Sequence, residues 1–291
     1  MDELVARALA REGLHVRAFE RISAFGAGLT ERHAYRVTLA DGRTVKARRT
    51  LGESQARRVV EGLRAVADAR FPRVLSRHGP VLLEEWIDGV PLTSAAVEDR
   101  HLAEAAAVLA EVHLVEALAG VPVREWGDTA ARLAATETRL QRLAGAGALD
   151  EASRTVLASA LRDHDPRRAE IGLVHLDFCP ENLVIDREGR LRVVDNEALA
   201  VDAFAYDLGR SWYRSALPPA RWALFEAAYR RHGGPAASAG STVFWRIAAV
   251  TEGAITRLER DSRGAQPSLD RLGQLAAELR RSAAAPPAAR T

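Results

Sequence analysis

The chain has 291 residues, enough for one large domain or two lobes around a sizeable core. Charged residues make up 27 % and apolar ones 47 %, with a net charge of only +2, so the balance is that of an ordinary globular protein. Arg48-Arg49, Arg57-Arg58 and Arg230-Arg231 are isolated pairs and not a nucleic-acid patch. The single cysteine, Cys179, excludes an internal disulfide framework and a Cys-based zinc site. No run of 18 apolar residues is present, which excludes a helical membrane span.

In chain order, the N-terminal MDELVARALAREGL reads as an amphipathic helix with early acids. It lacks the basic start and apolar centre of a secretion signal, so a cytoplasmic protein is expected. FERISAFGAG reads as a strand entering a glycine turn, and HAYRVTLADGRTVKARRT as a hairpin turned at Asp41-Gly42. Residues 53–69 have helical spacing, with Ala56, Val59, Val60, Leu63 and Val66 on one face. GPVLLEEWIDG gives a further strand that ends at Asp88-Gly89.

The character then changes. Residues 99–118, 128–145 and 151–164 read as helices, and helices resume from about 204 to about 281. Between them NLVIDREGRLRVVD, residues 182–195, forms a β island turned at Glu188-Gly189. The expected division is a β-rich lobe with one helix over 1–88, a helical lobe over 89–281, and a disordered tail, 282–291. EEWIDGVPL is the joint, and the fold class is α+β. No internal repeat is found.

The chemistry concentrates in VHLDFCPENLVID, residues 174–186. Asp177 and Asn182 lie in the loop that feeds the first strand of the island hairpin, and Asp195 closes the second strand. A hairpin brings its ends together, so Asn182 and Asp195 are expected as neighbours. An amide oxygen, a carboxylate and phosphate oxygens suit Mg²⁺, which keeps few protein ligands. Asp177 is then placed to accept a proton from a hydroxyl, the layout that phosphoryl transfer requires.

H-x-D-x-x-x-x-N followed thirteen residues later by Asp is the kinase catalytic-loop and metal-Asp pattern, here His175, Asp177, Asn182 and Asp195. With VVDNEA and YDLGRSWY, the stretch resembles the aminoglycoside phosphotransferase and choline kinase family. The family usually has Gly where Leu176 stands, and Trp-Glu where Asn196-Glu197 follow the metal Asp. The resemblance covers most of residues 20–260 and is strongest over 174–210.

It implies a two-lobed, protein-kinase-like fold and an ATP-dependent O-phosphotransferase using Mg²⁺. Gly26 and Gly28 would approach the phosphates through backbone N–H groups. Lys46, the only lysine, would steady the phosphates, held by Glu61 on the following helix, with Glu53 ranked second. Glu84, Glu85, Trp86 and Ile87 would face the adenine through the backbone. Asp177 would be the base, and Asn182 and Asp195 the metal ligands. His175 would brace the loop, Cys179 would be a buried small residue, and Asp207 would support the active-site loops. Arg210 and Arg214 are weaker candidates for lining the acceptor pocket.

The acceptor is expected to be a small hydroxylated molecule, an antibiotic or a metabolite, with no nucleic-acid or membrane partner. A monomer or a weak homodimer is expected. From residue 201 onward thirteen arginines face eight acids, which disfavours a highly cationic acceptor unless Glu252, Glu259 and Asp261 form a local acidic wall. A pseudokinase is the alternative. A protein kinase is disfavoured, because only eleven residues separate Asp195 from Asp207 and no Ala-Pro-Glu segment follows.

Overall fold

The computed structural model describes residues 1–22, 33–66, 68, 70–93, 97–116, 128–235, 241–260 and 262–284. The chain forms two compact units. The first takes in Met1–Val123, Leu173–Val201 and Pro219–Gly234; the second takes in Arg124–Gly172, Asp202–Pro218 and Pro235–Thr291.

The first unit is built on an antiparallel sheet of order β1-β2-β3-β5-β4, made by Val16–Ile22, His33–Leu39, Thr44–Arg49, Val81–Glu85 and Val74–His78. The hairpin at Asp41-Gly42 is present. Gly42 has φ +88°, and the Asp41 carboxylate accepts from the Arg43 backbone N–H at 3.0 Å. Helix α1, Glu3–Arg11, begins where the Asp2 carboxylate accepts from the Leu4 N–H at 3.0 Å, satisfying a backbone donor that the helix leaves unpaired. It buries Val5, Ala8 and Leu9 against Tyr35, Val37, Leu39, Val45, Ala47, Val81 and Leu83. Each valine and leucine among them contributes about 1.5–3 kcal/mol by leaving water.

This core decides the faces of β3. Successive strand residues point to opposite sides, so burying Val45 and Ala47 against α1 puts Lys46 and Arg48 together on the other side. Helix α2, Glu53–Val66, buries Ala56, Val59, Val60 and Leu63, as its spacing dictates.

The expected β island is present in the same unit. β8, Leu183–Asp186, pairs with β9, Leu191–Val193, in the register Leu183↔Val193. Gly189 has φ +76° and closes the turn, with its N–H donating to the Asp186 carbonyl at 3.0 Å. A third strand, β6 (Gly89–Pro91), adds to β8 and was not expected; it follows directly from the Asp88-Gly89 signal. A Cβ on Gly89 would run into the carbonyl of Ile185, so that close pairing requires glycine. Helices α3, Asp99–His113, and α7, Pro219–Arg231, complete the unit, and the buried pair His113 and Tyr229 bonds at 2.6 Å between them. Two further short strands, β7 (Ile171–Val174) and β10 (Ala200–Ala203), are also absent from the sequence reading.

The second unit is helical: α4 (Thr129–Gly145), α5 (Glu151–Asp163), α6 (Phe204–Ser215), α8 (Ser241–Arg260) and α9 (Gln266–Ala284). Its interior holds a buried ion pair, Arg132–Asp202, at 2.6 Å. The Arg132 guanidinium lies 3.8 Å from the ring centre of Tyr206 and 5.5 Å from that of Trp245. Trp212, Tyr213 and Trp245 are buried here, and Trp222 in the first unit, in line with a core role. Among the described residues, no helix is long and apolar enough to cross a membrane.

Candidate active site

The residues expected to form the catalytic loop converge within the first unit. β7 delivers the chain to His175, which is fully buried. The Asp177 backbone N–H donates to His175 Nδ1 at 3.3 Å, which assigns the ring proton to Nε2, and that nitrogen donates to Asn196 Oδ1 at 2.8 Å. The Asn196 amide in turn donates to the Val193 carbonyl at 3.3 Å. Asn196 thus stands at the position of the family's Trp and anchors His175, and through it the Asp177 loop. The bracing expected of His175 is what the geometry supplies.

A 3₁₀ turn, Pro180–Asn182, then brings Asn182 back to Asp177. Its amide nitrogen donates both to the Asp177 carbonyl and to the Asp177 carboxylate, each at 2.9 Å. The hairpin register continues one step past β8 and β9, with the Val194 N–H donating to the Asn182 carbonyl at 2.8 Å. Asp195 therefore follows the residue opposite Asn182. The three predicted polar residues lie at one end of one hairpin. Cys179, between them, is buried.

Both N–H bonds of the Asn182 amide are spent on Asp177, which leaves its oxygen as the acceptor. That orientation, beside the half-buried Asp177 and Asp195, fits a hard cation. Among the described residues no cluster of three or more His, Cys, Asp or Glu forms a metal cage. An ion that takes one amide, one carboxylate and phosphate oxygens does not need one.

Arg48 is a charged residue of this region that the sequence reading did not assign to the site. Glu84 stands directly opposite Lys46 in the β3–β5 register. Its carboxylate nevertheless goes to Arg48, with Nε 2.6 Å from Oε2 and Nη2 donating to Oε1 at 3.0 Å. A planar guanidinium meets a carboxylate through two nitrogens, and an ammonium cannot. Arg48 Nη1 also bonds Glu197. Burial opposes the charge on Arg48, but the carboxylates of Glu84, Glu197 and Asp195 outweigh it and raise its pKa further. The signal for Arg48 was present: it shares Lys46's face at i+2.

Lys46 and Glu61, expected as partners, form no ion pair with each other. Lys46 is half-buried, and Glu61 lines a groove of about 800 Å³ between α2 and β4, with Arg57, Arg64, Arg73 and Arg77 among its walls. Glu53 pairs with Arg77 at 3.1 Å. The side chain of Glu85 lies 3.4 Å from Arg192 and 3.6 Å from Arg73, and its backbone N–H donates to the Arg73 carbonyl at 2.9 Å. Trp86 lies under Arg36, 5.2 Å from the guanidinium, and Ile87 follows it beyond the end of β5. Gly26 and Gly28 lie outside the described residues. Asp207 is fully buried in the second unit. In that unit Glu252 pairs with Arg139 at 3.6 Å and Glu259 pairs with Arg142, so two of the three acids of the conceived acidic wall have cationic partners; Asp261 lies outside the described residues.

Comparison with known proteins bears on this geometry. The model of the phosphotransferase enzyme family matches residues 21–244. No curated protein matches the chain in sequence. Among solved structures, a macrolide 2′-phosphotransferase from Brachybacterium faecium is similar with a TM-score of 0.69 at 18% identity, over 92% of this chain and 98% of that one. The choline kinase LicA from Streptococcus pneumoniae gives 0.69 at 13% identity, over 95% and 98%. A structure of LicA with AMP gives 0.62 at 13% identity, over 96% and 99%. These likenesses establish the two-lobed, protein-kinase-like α+β fold.

Proposed function

Since this chain belongs to the phosphotransferase enzyme family, we propose that it moves the γ-phosphate of ATP to a hydroxyl of a small molecule, with Mg²⁺ as cofactor. The observation that carries the reading is the bond from the Asn182 amide to the Asp177 carboxylate, at the end of the hairpin that also bears Asp195. Similar structures include a macrolide phosphotransferase, a choline kinase and an AMP complex, which supports nucleotide use and a small hydroxylated acceptor. The reaction would run in the cytoplasm, where ATP is supplied.

Asp177 is the base: it orients the acceptor hydroxyl and takes its proton as the oxygen–phosphorus bond forms. Asn182 serves twice, its amide nitrogen holding both the carboxylate and the backbone carbonyl of Asp177 and its oxygen being offered to the cation. Asn182 and Asp195 would hold Mg²⁺, which when bound neutralises phosphate charge. Lys46 is the cation left to meet phosphates, and Gly26 and Gly28 would meet them through the backbone. Trp86 and Ile87, which follow the β5 ladder, would present backbone groups to the base. Glu84 and Glu85 contribute there only through the strand, because their carboxylates are committed to arginines. Glu61 has no place in this scheme beyond α2 itself.

Asp177→Asn is expected to lower turnover by about 10²–10⁴, the usual contribution of a positioned base, while MgATP binding persists. A coupled ADP-release screen over macrolides, aminoglycosides, amino alcohols and sugars supplies the acceptor. Wild-type turnover by the variant on that acceptor would refute the assignment. The acceptor is expected to be neutral or weakly charged, given the arginine surplus and the paired acids of the helical unit.

A further inference from the structure

Arg48 is a buried cation that engages two carboxylates, Glu84 and Glu197, and the reaction scheme above does not use it. It is 2 % exposed. It reaches Glu84 on the neighbouring strand and Glu197 two residues beyond Asp195, and it feels the charge of Asp195 itself. Asp195 has left-handed backbone, φ 59° and ψ 57°, directly before the 3₁₀ turn Asn196–Ala198. Such a conformation in a non-glycine residue persists where its surroundings over-determine it. Two side chains of that turn are tied down: Asn196 to His175, and Glu197 to Arg48. Helix α2 closes the turn from another side, where Leu199 Cβ lies 3.0 Å from the place a Cβ on Gly62 would take.

We propose that Arg48 is a positioning residue for the metal-binding carboxylate: anchored by Glu84, it clamps Glu197 and so holds the Asp195 turn in its left-handed pose. The proposal rests on the phosphotransferase reading for what Asp195 does. The division of labour follows from β3. Lys46 and Arg48 share a face, but Arg48 is neutralised by two carboxylates, and among the described residues Lys46 has no ion-pair partner. The strand offers one cation as scaffold and one as ligand.

Two variants test this. Arg48→Lys keeps the charge, but one ammonium does not span both carboxylates. Arg48→Met/Glu84→Gln removes the cation together with one buried anion, which spares the fold an uncompensated pair. Calorimetry is run with ATP at fixed and at rising Mg²⁺, and with AMP, which needs no metal carboxylate; thermal melting checks the fold. Expected are a fall of about tenfold or more in MgATP affinity, an AMP affinity within about twofold of wild type, and partial recovery at high Mg²⁺, since a mispositioned ligand weakens the ion's site. Unchanged MgATP affinity in a folded variant, or an equal loss for AMP, would overturn the clamp. Loss of fold in both variants assigns Arg48 to the scaffold alone and overturns it equally. Failure of the wild type to bind MgATP sinks the phosphotransferase reading itself. Wild-type binding without transfer to any hydroxyl sinks only the reaction and leaves the Arg48 result standing.

Discussion

Leu176 carries a cost that the family's usual glycine avoids. Its φ is +62°, in the region where a Cβ meets the following carbonyl, and its side chain is buried at 3 % exposure. The two effects oppose. Left-handed backbone costs a non-glycine residue about 1–2 kcal/mol, and removing a buried leucine costs about 2–5 kcal/mol. Leu176→Gly is therefore expected to destabilise by only about 1–3 kcal/mol, less than the same change at Leu173 on β7, and urea unfolding of the two variants checks the difference. At this scale the chain was largely readable. Asp177, Asn182 and Asp195 are fixed by short-range spacing, and the hairpin delivers them to one place. The pairing of Lys46 with a helix carboxylate was implied by the family resemblance, and Glu61 was chosen for its mid-helix place in the chain. Separation along a chain does not say which of two cations on one strand face wins the carboxylate opposite, and the guanidinium of Arg48 won it.

Elements tell the same story through their contacts. Helices α6 and α8 approach closely at Gly209, where an added Cβ would lie 2.8 Å from the Trp245 carbonyl oxygen and 3.1 Å from its carbon. Gly209→Ala is expected to destabilise by about 1–3 kcal/mol, since overpacking against backbone outweighs the better helix propensity. Gly273, inside α9, has nothing within 4 Å of its imagined Cβ, so Gly273→Ala is expected to stabilise by up to about 1 kcal/mol. Opposite signs for one substitution, read by denaturant midpoints, are the check. Long periodic segments such as α2, α4 and α5 were legible because an apolar stripe repeats over several turns. β6, β7 and β10 are three or four residues long and too short for any period to register; tertiary pairing makes them strands. The groove that takes Glu61 was equally invisible, since it exists only once β4 lies beside α2.

For the molecule as a whole, one buried phenol sets a limit at high pH. Burial, with the nearby Glu252 carboxylate, raises the Tyr206 pKa from 10.0 to about 12, against the opposing pull of Arg210 and Arg132. The unfolded chain releases that proton near pH 10 and the folded one does not. The contribution is thus fully present below pH 10 and is lost as pH rises toward 12, up to about 3 kcal/mol. Melting temperatures of wild type should fall more steeply between pH 10 and 12 than those of Tyr206→Phe; equal slopes would show that Tyr206 does not govern alkaline stability. Charge totals read from sequence pointed away from a polycationic acceptor, and the structure pairs Glu252 and Glu259 with Arg139 and Arg142. The totals could not reveal those pairings, which join residues more than a hundred positions apart.

Strand β3 bears the only ε-amino group in the chain. Reductive methylation with ¹³C-formaldehyde would therefore install one side-chain NMR label, distinct from the α-amine, on the face that Arg48 shares. Under the proposed phosphate-contacting role of Lys46, its chemical shift would follow nucleotide occupancy residue-specifically, with no engineered cysteine and no isotopic enrichment of the polypeptide.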